Sequence, residues 1–75
     1  MALIKKFDIE ESQNTSIHEP VHRATFRKFS KENGATYLQM TTYGRSSREQ
    51  PEKASQSIQL SPEAIAQLKE ILAGV

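Results

Sequence analysis

Val21 to Gly44 reads VHRATFRKFSKENGATYLQMTTYG, two runs of β-forming residues on either side of Asn33-Gly34. Runs of this kind around an Asn-Gly turn signal predict a β-hairpin. The register follows from asking which loop sorts the side chains. A two-residue loop sets Phe29 beside Leu38 and Arg27 beside Met40, mixing polar and apolar residues on both faces of the ribbon. A three-residue loop, Glu32-Asn33-Gly34, with Gly34 in the left-handed conformation of a bulge, pairs Lys31 with Ala35 and Phe26 with Met40. One face then carries Ala24, Phe26, the stem of Lys28, Leu38 and Met40, and is expected to be core. The other carries Arg23, Thr25, Arg27, Phe29, Tyr37, Gln39, Thr41 and Tyr43.

The second face has three aromatic rings, two arginines and no acid. Rings interleaved with guanidinium groups suit unpaired bases, because each stacked base contributes roughly 1–3 kcal/mol and arginines neutralise the phosphates between bases. Two readings of the rings stand side by side. They form a ligand surface, or they cover a second layer or pair across strands as β-formers do.

Working outward, 75 residues with 36% hydrophobic content make one small domain with a thin core, for which a partner subunit is expected. There is no cysteine, so neither disulfides nor thiolates support the fold, which suits a reducing compartment. The N-terminal MALIKKFDIEES lacks the apolar run of a signal peptide, and a soluble, cytoplasmic protein is expected, in the nucleoid or, in a eukaryote, the nucleus. Net charge is only +1 but unevenly spread. Arg23, Arg27, Lys28, Lys31, Arg45, Arg48 and Lys53 lie between His22 and Lys53 against Glu32, Glu49 and Glu52, while Asp8, Glu10, Glu11 and Glu19 precede them.

Before the hairpin, LIKKFDIE over residues 3–10 alternates around Phe7 and Ile9 and predicts a first strand; residues 11–20 form a polar connection. His18-Glu19-Pro20-Val21-His22 matches the H-E-x-x-H zinc pattern in letters. Pro20 removes an amide hydrogen and disfavours helix at Glu19, no third histidine or cysteine exists, and no metal site is expected. The chain also holds no nucleophile-base ordering, glycine-rich phosphate loop or apolar carboxylate pair, so no catalytic residue and no cofactor is expected.

After the hairpin, residues 45–54, RSSREQPEKA, read as a mobile loop whose Arg45, Arg48 and Lys53 either close over a polyanion or are simply solvated. Residues 55–60 then predict a strand with Ile58 and Leu60 inward, and residues 61–73 a helix. Ser61 is its N-cap, Pro62 its first residue, Glu63 sits at the positive end of the dipole, and Gly74 stops it. Ala64, Ile65, Leu68, Ile71 and Leu72 form an apolar stripe, with Gln67 and Glu70 outward. The expected class is α+β, a small antiparallel sheet of about four strands followed by one C-terminal helix in ββββα order. The stripe is wider than so small a sheet needs, and a homodimer closed helix against helix is expected.

This order of elements resembles the positive cofactor four family of transcriptional coactivators. SIQLSPEAIAQLKEIL, from Ser57 to Leu72, is similar to that family's strand-to-helix segment. FRKF, from Phe26 to Phe29, resembles its first core strand, YLQMTTYG stands at its second, and the loop RSSREQPEKASQ is similar to its polar connection. The resemblance implies a dimer without catalytic activity that binds single-stranded DNA or melted duplex through the exposed sheet face, in transcription, replication or repair. It implies ligand contacts at Arg27 and Phe29. The chain departs from the pattern at Thr41 and Gly44, where the family has arginine and tryptophan, and at Ala54-Ser55-Gln56, where it has lysine and glycine.

The expected binding residues are therefore Arg23, Thr25, Arg27, Phe29, Tyr37, Gln39, Tyr43, Arg45, Arg48 and Lys53, with single-stranded DNA or RNA as ligand. The alternative expectation is a protein-interaction module of the same fold, since tyrosine and arginine are also enriched at protein interfaces.

Overall fold

The computed structural model describes the backbone of residues 1–45 and 54–75. Arg48 and Lys53, and with them most of the expected 45–54 loop, lie outside the described residues. Among the described residues four strands and a helix follow in order: β1 Ala2–Ile4, β2 Val21–Ser30, β3 Thr36–Arg45, β4 Ala54–Leu60 and α1 Pro62–Ala73. The fold is α+β, with the ββββα order expected.

The hairpin has the register that sorting the faces requires. Phe26 pairs with Met40 and Ser30 with Thr36, and the turn closes through Lys31 N–H donating to Ala35 O at 3.2 Å. Gly34 N–H donates to Lys31 O at 2.8 Å, and Gly34 sits at φ +81°, a region that residues with a Cβ rarely enter. Asn33 Oδ1 accepts from Ala35 N–H, so the turn also satisfies its own backbone. At the far end of β3, Gly44 is buried at φ +48°, just beyond a register shift between Thr42 and Tyr43 against β4.

The sheet order is β1-β4-β3-β2, with β2 at one edge. The first strand is not residues 3–10 but only Ala2–Ile4, which pairs parallel to β4 in a sheet that is otherwise antiparallel, as expected. Alternation around Phe7 and Ile9 is a local signal, and among the described residues no strand pairs with that stretch. Phe7 is fixed differently: its N–H donates to Gln67 Oε1 at 2.7 Å and its carbonyl accepts from Gln67 Nε2 at 2.6 Å. A helix side chain thus takes the place of a strand. Gln67 is half-buried under the N-terminal segment and does not face out as expected.

α1 packs on β3 and β4, at the end of the apolar sheet face that carries Leu60. Leu60 and Ala64, 3% and 0% exposed, are the buried apolar residues where sheet and helix meet. Ile65, Leu68 and Ile71 are half-buried, and Leu72 lies open. The expected core does not extend to β2. Ala24 is exposed and Phe26 is 68% exposed, because one helix covers the inner strands of this sheet and stops short of its edge. Ile58, expected inward, is also partly uncovered.

The start of α1 fits the Ser-Pro-Glu reading. Ser61 Oγ accepts from Ala64 N–H at 3.2 Å, and Ser61 N–H donates to Ile4 O at 3.0 Å, so the cap residue joins helix to β1. The Glu63 carboxyl is held below its ordinary range by backbone hydrogen bonding, then by the Ser61 hydroxyl, with Lys5 adding a smaller attraction. A depressed carboxylate favours the folded state above its ordinary pKa, and that contribution is lost as pH falls through the lowered native value. Ser61→Ala is expected to cost about 1 kcal/mol in chemical denaturation and to move the Glu63 titration upward in carbon-detected NMR. Gly74 ends the helix at φ −94°, in an ordinary right-handed turn and not a left-handed cap, with its N–H reaching Ile71 O.

Candidate nucleic-acid interface

The face opposite α1 is built by parity. Because β2 and β3 pair in the sorted register, Arg23 lies opposite Tyr43, Thr25 opposite Thr41, Arg27 opposite Gln39 and Phe29 opposite Tyr37. β4 continues the face with Ser57 opposite Thr41 and Gln59 opposite Gln39. No acid occurs among these residues. Of the expected site residues, Arg23, Thr25, Arg27, Phe29, Tyr37, Gln39 and Tyr43 come together on this face. Arg45 ends β3 opposite Val21.

The three rings settle into one ring–ring pair and one arginine–ring pair. Phe29 and Tyr37 stack across the strands with centroids 5.5 Å apart and planes 18° from parallel, an arrangement worth about 0.5–1.5 kcal/mol beyond area burial. Lys31 Nζ lies 5.9 Å from the Phe29 centroid. Six residues along the strand, Arg23 Cζ sits 4.2 Å from the Tyr43 centroid. The cross-strand pairing that the sequence left as one of two readings is therefore realised for Phe29 and Tyr37. It uses one face of each ring and leaves both half-buried on a sheet face that the helix does not cover.

Between the two pairs runs a polar ladder. Gln59 Nε2 donates to Gln39 Oε1 at 3.1 Å, and Gln39 Nε2 donates to Thr41 Oγ1 at 3.4 Å. Thr41 Oγ1 shares a 3.2 Å hydrogen bond with Ser57 Oγ. Thr41 is only 8% exposed. Sequence reasoning selected Gln39 but missed Ser57 and Gln59 as site residues. The signal was present, since Ile58 and Leu60 on the opposite face oblige Ser57 and Gln59 to lie on this one.

The H-E-x-x-H letters do not form a helical pair: His18 to Pro20 have no regular structure, and Val21 and His22 already belong to β2. Among the described residues no helix is long and apolar enough to cross a membrane. No protein-family model, curated protein or solved structure matches the chain.

Proposed function

We propose that this chain is a single-stranded nucleic-acid-binding protein, with DNA the leading ligand, that acts as a homodimer in transcription, replication or repair and has no catalytic role. The observation that carries the reading is the acid-free face on which Arg23, Arg27, Phe29, Tyr37 and Tyr43 are brought together by strand register. Cations there neutralise phosphates, and open ring faces and edges receive bases. The resemblance of Ser57 to Leu72 and of Phe26 to Phe29 to the positive cofactor four family supports the same reading.

The homodimer is supported by exposed apolar surface. Phe26 and Leu72 are large apolar residues left open on the sheet and helix. A second copy would cover them. The competing reading, a protein-interaction module, draws on the mutual stacking of Phe29 and Tyr37, which already uses one face of each ring.

Binding of the full chain to a labelled single-stranded oligonucleotide at two salt concentrations separates these readings. Affinity for a strand is expected to fall steeply with salt because phosphate contacts release counterions. No binding at low salt would sink the nucleic-acid reading.

A further inference from the structure

The ladder Gln59–Gln39–Thr41–Ser57 lies where a strand crossing from the Phe29/Tyr37 pair to the Arg23/Tyr43 pair would pass. Six residues of β-strand separate the Phe29/Tyr37 pair from the Arg23/Tyr43 pair, a span of about 20 Å. That length matches about six bases at the stacked spacing of about 3.4 Å. We propose that the ladder holds a central base of the bound strand by its hydrogen-bonding edge, so that recognition reads an exposed base edge as well as phosphate and ring stacking. This rests on the single-strand reading above.

Three features carry it. First, the amides are ordered before any ligand arrives. Gln39 uses both ends of its amide, one toward Gln59 and one toward Thr41. A surface glutamine ordinarily loses side-chain freedom on binding, and this pair has already lost it. Second, the bonds made within the ladder leave capacity over. Each amide nitrogen has a second N–H, and Gln59 Oε1 remains as an acceptor among the described residues. An N–H beside a carbonyl oxygen matches the adjacent acceptor and donor on the Watson–Crick edge of every base. In duplex DNA that edge is occupied by the pairing partner. Third, the ladder is neutral and sits between the cationic elements, so it adds contacts that salt does not screen.

The chemistry implied is tolerant of base identity and intolerant of a base without polar atoms. The test uses the full chain and two labelled six-nucleotide strands. One is all thymidine, and in the other the two central bases are difluorotoluene, which keeps the shape and stacking of thymine but forms no comparable hydrogen bonds. The parent is expected to bind the thymidine strand about 30-fold more tightly, the effect of two ordinary hydrogen bonds. Gln39→Ala and Gln59→Ala, each checked for an unchanged melting curve, are expected to bind both strands alike, with the salt slope of the parent. Equal binding of the two strands by the parent would overturn the ladder's role while leaving single-strand binding intact, as would variants that still discriminate. Binding of neither strand removes the single-strand reading and this inference together.

Discussion

Phe26→Asp is expected to turn a dimer into a folded monomer. Within one chain Phe26 is 68% exposed on edge strand β2, so a charge at that position meets water and leaves buried Leu60 and Ala64 untouched. In a dimer whose second copy covers this face, two phenylalanines lose their burial, each worth roughly 1.5–3 kcal/mol, and two carboxylates are carried into an apolar contact. The dissociation constant should rise roughly 100-fold or more. Sedimentation at tens of micromolar, an order of magnitude suited to pairs of moderate strength, reads the effect directly, and far-ultraviolet circular dichroism shows whether the chain still folds. A parent that sediments as a monomer, or a variant that sediments as the dimeric parent does, would remove the dimer. The choice of Phe26 comes from its uncovered position. A substitution at half-buried Leu68 would disturb the chain's own helix-sheet packing along with any partner.

The hairpin and the helix start were legible because each is written in residues close in sequence. Asn33-Gly34 has one register that sorts both flanking runs, and the Gly34 conformation at φ +81° agrees with it. Ser61-Pro62-Glu63 specifies a helix start through groups within three residues of one another. What was not legible depends on partners distant in sequence. Residues 3–10 alternate as a strand should, yet only Ala2–Ile4 finds a neighbour, and that neighbour, β4, runs parallel and more than fifty residues away. Gln67 looks like an outward polar residue on a helical wheel, and nothing local shows that the Phe7 backbone will pair with it.

The apolar face of β2 illustrates the same limit in another way. Ala24 and Phe26 belong to a core by alternation, but alternation does not say how far a twelve-residue helix reaches across four strands. In the candidate site, parity located seven of the expected side chains on one face. It did not show that Phe29 and Tyr37 would spend a face on each other, or that β4 would supply Ser57 and Gln59.

Those pairings make the aromatic positions unequal, which sharpens what their loss should do. Among the described residues Tyr43 stacks on no other ring, and it carries Arg23 over its face at 4.2 Å. Tyr43→Ala therefore removes a stacking surface and the support of an arginine, and single-strand binding should weaken toward the upper end of roughly 1–3 kcal/mol. Tyr37→Ala exposes the Phe29 face that it had covered, 5.5 Å away, and a base can stack there instead. Its loss should fall toward the lower end of the same range. Neither change removes a charge, so the dependence on salt should stay close to that of the parent. Arg27→Ala is the complement. Arg27 is exposed opposite Gln39, and losing one phosphate contact should make the slope of log affinity against log salt shallower by about 0.7 for a single strand. Fluorescence anisotropy titrations at four salt concentrations measure both quantities on the same samples. If all three variants bind as the parent does, the sheet face is not the binding surface, and the protein-interaction reading takes precedence.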